Sequence, residues 1–320
     1  PRPSEGSRKR GVGMAILMQG SSIPHIDMGA ATIKLNEDGS FNLLMGATDL
    51  GTGSDTVLSQ IAAEVLGVDT SMIIPLSSDT DVTPFDVGAY ASSTTYLSGG
   101  AVRKAAMLVR RQILETAAEM LHCDAEILDI EDGRITGGEK TITVSDVALY
   151  SLYSHNQKQI MASASHVTEK SPPPFAAHFA EVEVDTETGF VKLLKYVSAV
   201  DCGTAIHPKL AEGQTEGATL NGISYALTEE YLFNEKGRML NPGFGHYKIF
   251  TTADMPEMVT ILVPTYEPTG PYGAKSVSEI SINGALPAIS NAIFHACGVR
   301  LRQGPFTPER VLAALREQSK

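Results

Sequence analysis

The 320-residue chain has no tryptophan and only three cysteines, Cys123, Cys202 and Cys297, which lie far apart and form no C-x-x-C pair. That spacing provides no disulfide framework and argues against a zinc or iron–sulfur site built from this chain. No apolar run approaches the roughly 20 residues needed to cross a bilayer. The G-x-x-x-x-G-K-[ST] phosphate loop is missing as well. Basic residues number 25 against 37 acidic ones, a net charge of −12, so neither nucleic acid nor an anionic membrane is an expected partner. No second histidine stands at ligand spacing from His25 or His207, so no metal is expected to be held directly by side chains. The start, PRPSEGSRKR, has neither an initiator Met nor the apolar stretch of a signal peptide. A cytoplasmic location is therefore expected, with an N-terminus that is cut, processed or interior to a longer polypeptide. Arg8-Lys9-Arg10 reads as a solvated arm.

What is present is an ordinary globular composition, 42% hydrophobic and 19% charged, enough for a sizeable core. Residues 11–20 form a short apolar run bounded by glycine, which suits a buried strand. Runs at 30–35 and 41–45 flank Asn36-Glu37-Asp38-Gly39-Ser40, a hairpin signal. A loop, Ala47 to Asp55, precedes a helical pattern at 56–66, a strand at 72–76, a polar stretch at 77–98 and a long amphipathic helix at 99–121. Strand patterns at 127–135, 140–144 and 157–166 surround a short helix at 144–154. Ser171-Pro172-Pro173-Pro174 is the expected linker, since consecutive prolines stop helix and sheet alike.

The opening order then recurs. Strand 180–184, the turn Asp185-Thr186-Glu187-Thr188-Gly189, strand 190–197, the loop Asp201-Cys202-Gly203 and a helix at 212–227 repeat strand, acidic turn, strand, Asp-x-Gly loop and helix. A hairpin at 229–240, a strand at 258–263 and helices at 276–297 and 307–317 complete the chain. The expected fold is α+β, with two related mixed-sheet lobes carrying packed helices, spanning residues 1–170 and 175–320.

Four motifs could carry chemistry. Gly51-Thr52-Gly53 sits between strand and helix, where glycines and helix-terminal N–H groups favour anions, but the third glycine of a dinucleotide fingerprint is replaced by Thr56. These residues read first as an ordinary strand–helix turn. Gly88-Ala89-Tyr90-Ala91-Ser92-Ser93-Thr94-Thr95 offers many small donors at a helix head, either for a polyanion or for an N-cap. Gly213-Gln214-Thr215-Glu216-Gly217 puts polar residues within an apolar helix. Ser276-Val277-Ser278-Glu279 fits the S-x-x-E capping box, so Glu279 reads as a helix cap or as an active-site carboxylate.

In their order these segments resemble the C-terminal half of the molybdopterin-binding region of the molybdenum hydroxylases, the xanthine dehydrogenase and aldehyde oxidase family, from about Arg10 to Leu315. Gly273-Ala274-Lys275-Ser276-Val277-Ser278-Glu279 is similar to the family's G-x-K-x-V-G-E, with Ser278 in place of glycine; the resemblance implies that Glu279 is the active-site base. Thr48-Asp49-Leu50-Gly51-Thr52-Gly53 resembles the loop ending in G-Q-G beside the metal, with Thr52 for glutamine. The resemblance also implies cofactor contacts at Gly51, Thr52, Gly53, Ala89, Tyr90, Ala91, Ser92, Ser93, Thr94 and Gln214, and a substrate pocket lined by Leu17, Gln19, Ser21 and Ser22. The polar members of that set suggest a small polar heterocycle.

The implied activity is oxidative hydroxylation of a purine-like N-heterocycle, with water supplying the oxygen. Nicotinate or an aldehyde is the alternative substrate. The implied cofactor is molybdopterin, including its cytosine dinucleotide form, with 2Fe-2S and FAD centres on partner chains or domains. The family's G-G-F-G-G-K-type loop is missing from this chain. It is therefore expected to be half of a catalytic unit, a subunit or a fragment, inactive without the complementary molybdenum-binding lobe and prone to oligomerise through the surface left open. Two other readings are a non-catalytic assembly or cofactor-chaperoning homologue and a nucleotide-binding enzyme built on Gly51–Gly53.

Overall fold

Apolar residues at every second position build two sheets on one plan. The computed structural model describes residues 6–137 and 140–318. In chain order, β1 (Arg8–Met18) is followed by β2 (Met28–Leu35), β3 (Phe41–Met45), α1 (Ser54–Leu66), β4 (Ile73–Ser77) and α2 (Thr94–Leu121). Next come the short strands β5 (Asp129–Glu131), β6 (Arg134–Thr136) and β7 (Thr141–Thr143), then α3 (Val144–Tyr153) and β8 (Met161–Val167). The second half contains β9 (Phe175–Asp185), β10 (Val191–Asp201), α4 (Pro208–Leu227), β11 (Glu257–Leu262), α5 (Ile280–Asn283), α6 (Ala285–Cys297) and α7 (Pro308–Gln318).

One sheet has the order β4-β3-β2-β8 and the other β11-β10-β9-β1. In each, an antiparallel hairpin lies in the middle, a parallel strand flanks its second member and an antiparallel strand flanks its first. The chain is thus α+β with two related mixed sheets, as the repeated order of motifs suggests. Each sheet buries one face under helices. Ile33, Leu35, Phe41 and Leu43 pack with Leu58 and Ile61 of α1 and Val102 and Val109 of α2. Val182, Val184 and Tyr196 pack with Ile223 of α4 and Ile289 and Ile293 of α6.

β1 departs from a simple division of the chain at residue 170. It pairs with β9 from Arg8 opposite Asp185 to Met18 opposite Phe175, and so occupies in the second sheet the place that β8 occupies in the first. Its inner face is bare by necessity. A Cβ on Gly11 would lie 2.2 Å from the Ala292 carbonyl oxygen, and one on Gly13 2.1 Å from that of Ala288, so α6 rests directly on the strand's backbone. Arg8–Arg10 is accordingly no free arm: Arg10 donates its Nε–H to Glu183 at 2.9 Å across the pair.

Three other expectations change. α2 begins at Thr94, because Tyr96, Leu97 and Ser98 are buried and continue the helix through what reads as polar loop. The run 276–297 is split at Gly284, where a Cβ would meet His178 Nδ1 at 2.2 Å. The hairpin expected at 229–240 keeps its turn at Asn234–Gly237 but only a single bridge, Phe233 to Met239. Among the described residues, no helix is long and apolar enough to cross a membrane.

Candidate cofactor and active site

The two Asp-x-Gly loops, one after β3 and one after β10, are built alike. Asp49 accepts the N–H groups of Gly51 at 2.9 Å and Gly53 at 3.1 Å, and Asp201 accepts that of Gly203 at 2.9 Å. Burial opposes the Asp49 charge, but the N–H groups of Asp55, Gly53, Gly51 and Thr52 outweigh it and lower its pKa. The loop therefore supplies its own anion. The amides that would cradle a nucleotide phosphate at Gly51–Gly53 are already satisfied, which removes the basis of the nucleotide reading.

Gly203 has φ +71°, and a Cβ there would sit 2.1 Å from the Gly273 carbonyl oxygen. This close approach lets the loop leading to Glu279 dock onto the one leading to α4: Thr204 N–H donates to Gly273 O at 2.9 Å, and Lys275 N–H to Cys202 O at 2.8 Å. Lys275 then turns inward. Its Nζ donates to Asp201 Oδ2 at 2.8 Å and to Pro173 O at 3.1 Å and lies 5.8 Å from the centre of the Phe175 ring.

Between these loops opens a cavity of about 320 Å³. Thr52, Ser54 and Val57 reach it from the head of α1, Thr94 and Thr95 from α2, and His207, Leu210 and Gln214 from α4, while Lys275 to Glu279 forms another wall. Ser93, the N-cap residue of α2, makes no side-chain cap bond, whereas at the head of α1 Asp49 Oδ2 accepts the Asp55 N–H at 3.2 Å. On α4, His207 Nδ1 accepts the Leu210 N–H at 3.3 Å. Ser54 lines this space, and its Oγ is buried with no hydrogen-bond partner. An unpaired buried hydroxyl and the uncapped head of α2 beside it suit a hydrogen-bonding ligand with anionic groups.

Glu279 stands at the cavity's edge, and the capping box does not form. Ser276 is fully engaged elsewhere: its N–H donates to Ser21 Oγ at 3.2 Å, and its hydroxyl contacts Ser21 Oγ at 3.0 Å and Gly20 O at 3.2 Å. Glu279 heads α5 without capping it. Its carboxylate turns outward, where Oε2 accepts Ser92 Oγ–H at 2.9 Å and Gln19 Nε2–H at 3.2 Å. The Glu279 N–H in turn donates to Ser92 Oγ at 2.9 Å. Ser278 Oγ donates to Gln214 Oε1 at 2.9 Å, leaving the Gln214 NH2 group for the cavity. In the structure, Ser278 thus links the carboxylate segment to the glutamine.

Of the residues singled out in the sequence, Thr52, Ala89, Ser92, Thr94, Gln214 and Glu279 meet around this one cavity. Gln19 joins them through Glu279. The others have different work. Gly51 and Gly53 shape the Asp49 loop, at φ +88° and +77°. Ser93 is buried with its hydroxyl donated to Tyr90 O at 2.9 Å. Ala91 and Ser92 adopt left-handed backbone at φ 53° and 51°, a conformation that costs non-glycine residues roughly 1–3 kcal/mol each. Tyr90 points away from the cavity and donates its hydroxyl to Asp27, the leading cause of its raised pKa.

The expected substrate lining needs correction. Ser21 and Ser22 are buried, Ser21 bonded to Pro172 O at 2.7 Å and Ser22 to Thr168 Oγ1 at 2.7 Å, so they seal the chain crossing instead of facing a ligand. Leu17 packs on Ala176, Val200 and Ile280. Sequence reasoning missed Ser54 and His207 on the cavity wall. Ser54 and His207 immediately flank the motifs already noticed, and their position at helix heads was the available signal.

Fold and site define a cofactor-binding α+β chain with a cavity at the heads of three helices. A family model described as a molybdopterin cofactor-binding domain matches residues 2–256, and the chain belongs to that family, the molybdopterin-binding part of the molybdenum hydroxylases. It is 41% identical over 319 residues to "Probable hypoxanthine oxidase XdhD" of Escherichia coli strain K12, covering 98% of this chain and 33% of that protein. It is 37% identical over 317 residues to the "Xanthine dehydrogenase molybdenum-binding subunit" of Escherichia coli O157:H7, covering 96% and 42%. The fold matches quinoline 2-oxidoreductase of Pseudomonas putida 86 with a TM-score of 0.92 at 26% identity, over 97% of this chain and 42% of that one. The chain thus spans between a third and about two fifths of the proteins it matches.

Proposed function

We propose that this chain forms the cofactor-binding and base-bearing part of a molybdenum hydroxylase acting on a purine-like N-heterocycle. The observation that carries the reading is the meeting of Glu279 and Gln214, joined through Ser278, in a cavity that also holds the unpaired Ser54 hydroxyl. These residues fit molybdopterin. The Gln214 amide and the cavity-facing residues at the uncapped head of α2 would bind the pterin and its phosphate-bearing tail, including a cytosine dinucleotide, with Ser54 beside them. When bound, the molybdenum cofactor supplies the two-electron acceptor and activates the water whose oxygen enters the product.

The chain's own contribution is proton transfer and orientation. Glu279 Oε2 is tethered by Gln19 and Ser92, so Oε1 is free to take the proton of the attacking water. Gln19 is the one polar residue of the expected substrate set beside the base, and its amide suits a heterocycle with ring nitrogens. The purine choice rests on the names of the two relatives, hypoxanthine oxidase and xanthine dehydrogenase. Electrons would leave through 2Fe-2S and FAD centres on partner chains or domains, with a complementary lobe closing the cavity over Glu279.

The test is Glu279→Gln in the assembled enzyme. Molybdenum content should stay unchanged while purine hydroxylation falls by about 10²–10⁴, the usual worth of a general base. Residual turnover within a factor of about ten of the parent would refute the assignment.

A further inference from the structure

Beneath the loop that carries Ser92 lies a contact outside the cavity. Tyr90 donates its hydroxyl to Asp27 Oδ1, and Asp27 is fully buried with Oδ2 accepting the Ile23 N–H at 2.7 Å. Asp27 is held again through its own N–H, which donates to Ile23 O at 3.0 Å, so the carboxylate is fixed within a tight turn ahead of β2. A neighbouring half-buried carboxylate, Asp86, secures the other end of the loop: it accepts Ser98 Oγ–H at 2.6 Å and the Gly88 N–H at 2.9 Å. Between Gly88 and Ser93 the chain makes its two consecutive left-handed non-glycine turns, Ala91 and Ser92. Such a backbone persists only where its surroundings over-determine it.

We infer that Tyr90 and Asp27 act as an anchor that holds Ser92 in its left-handed conformation and so positions the Glu279 carboxylate. The inference rests on the reading of Glu279 as the base and assigns Tyr90 as a positioning residue. Ser92 is the link from the anchor to the base: it exchanges two hydrogen bonds with Glu279, one from its hydroxyl to Oε2 and one from the Glu279 N–H to its oxygen, each 2.9 Å. The Tyr90 ring is 42% exposed, so its packing contributes less than its hydroxyl's tether. Removing that hydroxyl frees the loop to relax without opening a core cavity.

The experiment compares Tyr90→Phe, Ser92→Ala and the double variant in the assembled, cofactor-loaded enzyme. Two readouts are taken: exchange of the Glu279 amide by hydrogen–deuterium exchange with fragment-level mass spectrometry, and kcat and KM for hypoxanthine. Tyr90→Phe should speed Glu279 amide exchange by about ten-fold, the factor matching loss of one ordinary hydrogen bond, and lower kcat by a similar factor with KM within about two-fold. In the Ser92→Ala background, Tyr90→Phe should then change neither quantity, because the route through Ser92 is already cut. Additive effects in the double variant, or unchanged exchange in Tyr90→Phe, would overturn the anchor. The exchange readout is independent of turnover, so failure of Glu279 as the base would show in Glu279→Gln alone and leave the test of the anchor unaffected.

Discussion

Lys275→Met should be among the most damaging single substitutions in the chain, although Lys275 makes no chemical contribution of its own. Its ammonium lies 2.8 Å from Asp201 Oδ2, with side chains only 8% and 17% exposed. At that separation and an effective dielectric near 20, the gross attraction is about 6 kcal/mol, most of it offset by the cost of taking both charges out of water. Removing one partner leaves that cost without its compensation, which typically loses about 3–5 kcal/mol. Asp201 keeps two donors, Thr265 Oγ1 at 2.6 Å and the Gly203 N–H at 2.9 Å, so the lower end, about 3 kcal/mol, is expected.

Urea denaturation at pH 7 measures the loss directly, and its pH dependence supplies a second check. Burial works against the Asp201 charge, yet Lys275, Thr265 and Gly203 together bring its pKa below the ordinary value. A carboxyl depressed in the folded state contributes stability that is present above its unfolded pKa of about 3.9 and is lost as pH falls through the folded value. Lys275→Met removes the largest of the causes that lower it, so the acid loss of stability in the variant should be shallower than in the parent. A loss below about 1 kcal/mol at pH 7 with an unchanged acid limb would refute the argument. Replacing Asp201 by Leu in the same chain should recover part of the loss, since no buried charge is then left unpaired. The site should respond too, because Lys275 fixes the segment that ends at Glu279.

Buried polar atoms elsewhere give two further expectations. His178 is buried with Nδ1 at 2.9 Å from the Tyr196 hydroxyl, and burial pulls its pKa down to about 4. Between that value and the unfolded value near 6.5 the unfolded chain binds the extra proton, so stability should fall by about 3 kcal/mol as pH drops across this window. His178→Gln should flatten that slope in thermal melts recorded from pH 7 to 4. Ser54→Ala should be neutral or slightly stabilising in the cofactor-free protein, where the hydroxyl has no partner, and should weaken cofactor retention on dilution several-fold in the loaded one. Equal effects in both states would remove Ser54 from the binding site.

Much of the fold is legible in the sequence because its signals are local. The Asp38-Gly39 turn forms the hairpin it predicts, with Gly39 at φ +88° and Asp38 accepting the Ser40 N–H at 2.9 Å. The recurrence of strand, acidic turn, strand and Asp-x-Gly loop is matched by two sheets of one topology. β1 is not legible in this way. Nothing within residues 8–18 says that they pair with β9; only Gly11 and Gly13, bare where α6 presses on them, hint that this strand serves the second sheet.

The site divides along the same line. Gln214 and Glu279 are recognisable from their motifs, whereas Tyr90, Ser21 and Ser22 are not, because motif position does not determine which way a side chain turns. Glu279 shows why most clearly. S-x-x-E specifies a capping box and an outward carboxylate equally well, since both use the same four residues. The choice is made by distant hydroxyls: Ser21, 255 residues away, takes Ser276 out of the box, and Ser92, 187 residues away, offers Glu279 a donor for its carboxylate and an acceptor for its N–H. With its partner withdrawn and two bonds available on the cavity side, the carboxylate has no reason to fold back onto the helix. The helix head is left uncapped, and the glutamate is left beside Gln19 and the open cavity.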